Sequence, residues 1–211
     1  MDPIDRSTTN HVAGTQGYAA LAEALVARWE QVSSAEHHQS VLHLIPKTPS
    51  RVLDIGAGSG RDAAWLAAMG HLVVAVEPLD AFRDAGMARH RGHAIDWRND
   101  SLPDLATFAG DEASFGLVML TAVWMHLDAA ERSRAMVRVA ALLGAAGVLI
   151  LTLRHGPIPD GRRMFAVTAE ETVPLAQAAG LRLLTTQTSA SMQTENRRAG
   201  VTWTRQAFAR E

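Results

Sequence analysis

Cysteine is absent from the 211 residues. That excludes disulfides, cysteine-ligated zinc and a thiol nucleophile. Long apolar runs are missing too. No stretch reaches the ~18 residues of a membrane span, and residues 1–11, MDPIDRSTTNH, lack the apolar core of a signal peptide. A soluble cytoplasmic protein is therefore expected, with no membrane partner. No long basic run occurs and the formal net charge is −2. The overall electrostatics thus do not favour a nucleic-acid partner; Arg162-Arg163 and Arg197-Arg198 are the local exceptions. There is no P-loop ending in Gly-Lys-Ser/Thr, no internal repeat and no low-complexity segment. No metal site is expected.

What remains is ordinary globular material, 47% hydrophobic and 20% charged. It suffices for one domain with a full core. The chain is organised around Arg51–Met69, RVLDIGAGSGRDAAWLAAM. An apolar run (Val52, Leu53, Ile55) precedes glycines at every second position (Gly56, Gly58, Gly60). A helical pattern follows. This is a buried strand, a tight turn and a helix start, whose backbone N–H groups suit an anionic ligand group.

Upstream, apolar residues at three- and four-residue spacing predict an amphipathic helix over Val12–Val32. Ser33 and Glu36 stand in capping-box spacing before a second helix that ends at Pro46. Residues 1–11 are expected to be loosely attached. Downstream, strands are expected at 71–77, 93–98, 115–120 and 148–153. The helices between them are capped by Asp80 and by the Asp128/Glu131 pair. A loop with two prolines and two glycines spans 154–163. Thr168 and Glu171 cap a last helix, closed by Gly180. Two final strands, 181–188 and about 201–209, are joined by a polar loop. Alternating strands and helices predict a parallel α/β sheet, doubly wound, with right-handed crossovers. The final two strands have no helix between them and should form an antiparallel hairpin at the edge.

Four motifs carry chemistry. The glycine turn is G-x-G-x-G, with Arg61 where a dinucleotide fingerprint has its third glycine. Glu77 ends the second strand, where an acid can accept from both ribose hydroxyls; it can equally be a solvated strand-end acid. In Asn99-Asp100-Ser101-Leu102-Pro103, Asp100 can accept from an exocyclic amine or cap the turn. In Thr121-Ala122-Val123-Trp124-Met125-His126-Leu127, which leaves the fourth strand, His126 can be a general base, a pocket wall or a structural histidine.

VLDIGAGSGRDAAWLA, AVEP, NDSLP and TAVWMHL, in this order, resemble class I S-adenosylmethionine-dependent methyltransferases over about Arg51–Arg154. The resemblance implies a Rossmann-like fold with a mostly parallel seven-stranded sheet. It implies an N-terminal helical lid over 1–48 and a methyltransferase domain over 49–211. Its cofactor is S-adenosyl-L-methionine. Asp54, Gly56, Ala57, Gly58 and Gly60 would surround the methionine part, Glu77 and its neighbour Pro78 the ribose, and Asp100, Ser101 and Leu102 the adenine. Thr121 and Ala122 would lie near the sulfonium. Tyr18 would reach the cofactor carboxylate. Arg61 would neutralise that carboxylate or form a surface ion pair with Asp62 or Glu77. Gly116 departs from the acidic residue common at that place.

Methyl transfer is an in-line displacement, so the protein mainly aligns the nucleophile and excludes water. A hydroxyl or amine acceptor needs a base, for which His126 and His155 are the candidates. Arg154, Arg162 and Arg163 can orient an acidic acceptor or form an ordinary charged loop. No Asn/Asp-Pro-Pro-Tyr/Phe element of DNA-base methylation is present, and a small-molecule acceptor is favoured. Trp29, Trp97, Trp124 and Phe165 are the aromatics that would suit an apolar one. Two other readings stand beside this. A nicotinamide-dependent oxidoreductase shares the strand–glycine–helix element, but Arg61 and the terminal hairpin oppose it. A non-catalytic cofactor-binding subunit is the other. The oligomeric state is not legible.

Overall fold

The computed structural model describes residues 12–210; the expectation for residues 1–11 lies outside them. One seven-stranded sheet runs through the chain. Its strands are β1 (Arg51–Ile55), β2 (Leu72–Val76), β3 (Ile95–Arg98), β4 (Phe115–Leu120), β5 (Leu143–His155), β6 (Leu181–Ala190) and β7 (Thr202–Arg210). Their order is β3-β2-β1-β4-β5-β7-β6. The first five are parallel, and β7 runs antiparallel to both β5 and β6. The doubly wound sheet with its terminal antiparallel pair is thus the expected one.

The parallel strands are apolar on both sides because both sides are covered. Alternation divides them cleanly. Leu53, Ile55, Val74, Val76, Val118 and Leu120 join one core cluster with Ala135, Met136 and Val139. Val52, Val73, Ala75, Leu117 and Met119 join another with Val41, Ile45, Ala63 and Leu66. The first face is thereby covered by α5 (Ala129–Leu142) and α6 (Ala169–Ala178), the second by α3 (Arg61–Ala68) and a 3-10 segment at Gln39–Leu44. Asp128 and Glu131 make the full reciprocal capping box on α5, and Thr168 accepts from Glu171 N–H on α6. No helix among the described residues is long and apolar enough to cross a membrane.

Several expectations change. The single helix over Val12–Val32 is instead two 3-10 turns, Ala13–Thr15 and Ala19–Leu21, followed by α1 (Ala22–Trp29). Gly17 is the reason: it takes φ +76°, which an α-helix cannot contain, and a Cβ there would meet the Gly161 carbonyl at 2.5 Å. The second helix breaks likewise into α2 (Ser34–His37), which Ser33 does cap, and the 3-10 segment. Asp80 does not cap α4 (Asp80–Arg89). Leu79 is the N-cap, and Asp80 sits in the first turn bonded to Arg83. β5 begins at Leu143 directly after α5 rather than at residue 148, its register with β4 shifting between Phe115 and Leu117. The loop before β7 holds a short helix, α7 (Thr194–Arg198). Gly116 has a local reason: a Cβ there would collide with the Ser50 hydroxyl.

Candidate functional site

The carboxyl ends of β1, β2, β4 and β5 open into one cavity of about 740 Å³. Of the residues expected at the site, Tyr18, Asp54, Gly56, Ala57, Gly58, Arg61, Glu77, Pro78, Asp100, Ser101, Leu102, Thr121, Ala122 and His126 all line it. They come from five segments, so the sheet edge assembles what the sequence scatters.

Two expected residues fall outside. Gly60 is the left-handed N-cap of α3 (φ +78°), and a Cβ on it would strike the Trp97 ring at 2.6 Å. Its smallness serves packing against Trp97. His155 donates or accepts at the Thr204 hydroxyl, 2.8 Å away. Side chains alternate along a strand, so Arg154 at the cavity sends His155 to the opposite side. Among the four aromatics expected in an acceptor pocket, only Trp29 lines the cavity. Trp124 is fully buried in the core, and Trp97 packs on Gly60.

The glycine turn is wired differently from the expected anion cradle. Gly56 and Ala57 N–H both donate to the Val76 carbonyl, at 2.8 and 2.9 Å. Gly58 N–H donates to Glu77 Oε2 at 2.8 Å. The adjacent parallel strand β2 thus consumes these donors with its last carbonyl and the carboxylate after it. The turn needs its glycines for backbone shape and close packing: Gly56 and Gly58 have φ +69° and +58°, and Cβ atoms there would stand 2.5 Å from Val123 and 3.0 Å from Trp29. Glu77 also accepts from Leu79 N–H at 2.9 Å. Burial drives its carboxyl up to about 7, against the pull of the Leu79 and Gly58 N–H groups and Arg83. Asp54 is buried with Oδ2 unpartnered. Burial first, then the charge of Asp62, pushes its carboxyl well above the ordinary range.

Asp62 is the charge that sequence reading placed wrongly. It is no surface partner. Buried on the first turn of α3, it accepts from Ser34 Oγ (2.7 Å), His38 Nε2 (2.8 Å), Arg61 Nε (2.9 Å) and Thr121 Oγ1 (3.1 Å). Burial opposes its ionisation, but His38, Arg61 and Ser34 together hold its carboxyl well below the ordinary range. The helix start is thereby already occupied by an acid. The network ties the N-terminal segment to α3 and the end of β4. Ser34 and His38 stand four residues apart, a spacing that hinted at one face but named no partner.

Asp100 spends both oxygens locally, on Ser101 N–H (2.7 Å) and on Thr107 N–H and Oγ1 (2.7 and 2.6 Å). It caps the turn, one of its two alternatives, while still lining the cavity. Ala122 leaves β4 at φ +60° and donates to Thr152 Oγ1 at 2.7 Å.

On the β4 and β5 side, Tyr18 Oη stands 3.0 Å from His126 Nε2, and His126 Nδ1 stands 2.8 Å from the Arg163 carbonyl. A carbonyl only accepts, so Nδ1 carries the proton. The neutral ring then leaves Nε2 as acceptor, and the Tyr18 hydroxyl donates to it. Burial, with Arg162, Arg163 and Arg154 nearby, lowers the His126 pKa below its usual value of 6.5. Burial raises that of Tyr18. The Arg162 guanidinium lies 3.4 Å from the Tyr18 ring centroid. Tyr18 thus donates to the histidine from the cavity wall.

Comparison with known proteins agrees with this frame. Residues 52–147 match the family model of the methyltransferase domain. Among solved structures, the 1,6-didemethyltoxoflavin-N1-methyltransferase of Burkholderia thailandensis, with 1,6-didemethyltoxoflavin and S-adenosylhomocysteine bound, is 22% identical. It covers 89% of this chain and 88% of its own, with TM-score 0.63. A TehB-like S-adenosylmethionine-dependent methyltransferase of Corynebacterium glutamicum is 18% identical, covering 91% and 99%, with TM-score 0.66. The phosphoethanolamine N-methyltransferase 2 of Haemonchus contortus, in complex with phosphomonomethylethanolamine and S-adenosylhomocysteine, is 14% identical. It covers 92% of this chain and 58% of its own, with TM-score 0.68. No curated protein sequence matches.

Proposed function

Residues 52–147 being a methyltransferase domain, we propose that the chain uses S-adenosylmethionine to methylate a small-molecule acceptor, with His126 and Tyr18 handling the acceptor's proton. The cofactor fits the residues present. Val123 and Trp29 close on the Cβ positions of Gly56 and Gly58, so both stay without side chains and the turn's bare backbone borders the cavity. The unpartnered Asp54 Oδ2 lacks only a donor, which an ammonium group supplies. Arg61, held by Asp62 and the Trp29 carbonyl, lines the same cavity and keeps one further N–H on each Nη for a carboxylate. Each Glu77 oxygen, already holding one N–H, retains acceptor capacity for a ribose hydroxyl. When bound, the cofactor supplies an electrophilic methyl on a sulfonium that leaves as a neutral thioether.

The observation that carries the reading is the Tyr18–His126–Arg163 chain at the cavity wall. An acceptor N–H or O–H gives its proton to Tyr18 Oη as the Tyr18 proton passes to His126 Nε2. The imidazolium that results still donates Nδ1–H to the Arg163 carbonyl, so the ring need not turn. A depressed histidine pKa keeps the base free at neutral pH. The N-terminal helical segment serves as a lid in this reading, and from its described residues, 12–48, Tyr18, Leu25 and Trp29 reach the cavity. The acceptor is small because this segment roofs the space.

The test is a panel assay for S-adenosylhomocysteine release with Tyr18→Phe and His126→Asn beside wild type. Turnover is expected to fall about 10²–10⁴-fold, as for loss of a general base, with S-adenosylhomocysteine affinity kept within about threefold. Both variants turning over at the wild-type rate would overturn the proton route.

A further inference from the structure

Three arginines line the cavity wall, Arg154 near the end of β5 and Arg162 and Arg163 in the loop after it, and they are not equivalent. Arg163 is fully engaged. It bonds the His126 carbonyl at 2.5 Å, Asp128 at 3.2 Å and Glu131 at 2.9 Å. Arg154 and Arg162 line the same cavity, yet neither has a carboxylate within 4.0 Å among the described residues. Arg154 has one bond, Nη1 to the Pro157 carbonyl at 2.7 Å. Arg162 lies against the Tyr18 ring, and its Nη1 is buried with no partner. Two acids also touch the wall. Glu131 is committed to Asp128 N–H and Arg163, and Asp160, which lines the cavity, approaches no arginine within 4.0 Å among the described residues.

Two cations without a carboxylate partner in a partly dry cavity are costly, since one carbonyl for Arg154 and one aromatic face for Arg162 only partly replace the hydration lost. An arginine fork is pre-shaped for the two oxygens of a carboxylate or phosphate. The stacking of Arg162 on Tyr18 also puts that fork beside the hydroxyl that takes the acceptor's proton. We propose that Arg154 and Arg162 form an anion subsite that holds a carboxylate or phosphate of the methyl acceptor, so that the acceptor is a small amine or alcohol carrying a negative group close to its nucleophile. This rests on the methyl-transfer reading. It adds a second attachment point, which orients the nucleophile and rejects uncharged analogues.

The test is thermal shift and calorimetry at fixed ionic strength, with S-adenosylhomocysteine present and absent. The probes are inorganic phosphate, acetate and, as a cation control, tetramethylammonium chloride. Wild type is expected to be stabilised by phosphate or by acetate, the stronger of the two naming the group, and not by the cation. Arg162→Gln and Arg154→Gln should each weaken the anion at least tenfold while S-adenosylhomocysteine binding stays within threefold. Arg162→Lys, which keeps the charge but loses the fork, should retain part of the effect and guards against a misfolded variant. The proposal is overturned if neither anion binds, or if anion binding survives in the double variant. It is overturned too if either substitution weakens S-adenosylhomocysteine tenfold, which would assign the pair to the cofactor's own carboxylate. Wild type that takes no S-adenosylhomocysteine removes the methyl-transfer reading itself.

Discussion

Substitute Glu77 by Gln and titrate S-adenosylhomocysteine into both proteins from about pH 8 down to about pH 6. In the free protein the Glu77 carboxyl titrates near 7 because burial outweighs the two backbone N–H bonds it receives. Ribose hydroxyls donate, so they favour the ionised form. Below pH 7, then, a proton must leave as ligand enters. Each pH unit costs about 1.4 kcal/mol, or tenfold in Kd. At about pH 6 wild-type affinity should be roughly tenfold weaker than at about pH 8, with nearly one proton released per ligand. The glutamine has nothing to titrate. Its affinity should be lower throughout, since one amide oxygen cannot accept from both Gly58 and Leu79, and an unsatisfied buried N–H costs about 1–3 kcal/mol. Its pH dependence should be flatter.

The same group makes a stability statement. Its folded pKa of about 7 lies above the ordinary 4.5. The folded state therefore holds the proton more tightly. That contribution is complete below about 4.5 and lost as pH rises through about 7, an effect of roughly 3 kcal/mol. Asp54 also titrates high, through burial first and Asp62 second, with Glu77 a lesser cause, so the difference between the two proteins reports Glu77 together with its smaller effect on Asp54. Calorimetry in two buffers of unlike ionisation enthalpy counts the protons. Identical pH dependence in wild type and Glu77→Gln would refute the reasoning.

Two further substitutions probe the scaffold. Gly58→Val places a branched side chain at φ +58° against Trp29; S-adenosylhomocysteine binding should disappear while circular dichroism is preserved, with about 1–3 kcal/mol of strain read as a lower Tm. Asp62→Asn removes the charge that Ser34, His38, Arg61 and Thr121 surround; about 3–5 kcal/mol should be lost, and a Tm unchanged in differential scanning fluorimetry would mean the network is idle. Because the Asp62 carboxyl is held low, its stabilisation is present above the ordinary carboxylate range and fades as pH falls through its depressed value, a fade absent from the variant.

The parts of this molecule legible in its sequence are those written in local period and punctuation. Strand β4 was bounded to the residue because FGLVML is an unbroken apolar run between polar flanks. The Asp128/Glu131 box placed α5 because its donors and acceptors lie three residues apart. Glu77 and His126 are legible as candidates because each lies just past the end of a strand that the apolar pattern marks. Failures came wherever a distant segment decides. Gly17 breaks the N-terminal helix only because residue 161 packs against it. Gly60 resembles a ligand contact until Trp97 is seen above it. His155 lies on the correct strand end and is turned away by a one-residue alternation. The bond between Tyr18 and His126, 108 residues apart, has no local signature at all.

The position of β7 bears on how the chain is made. It is the last of the seven strands in sequence, yet it stands inside the sheet, between β5 and β6. A nascent chain that has released β6 has nowhere to put it. Until β7 arrives, β5 presents a long unpaired edge carrying Val148, Ile150 and Leu151, and β6 has no neighbour at all. Such an edge is a template for pairing with another chain. Slow decoding or early termination before Thr202 should therefore produce aggregation rather than a slightly shortened protein, because the missing piece is the bridge and not the rim.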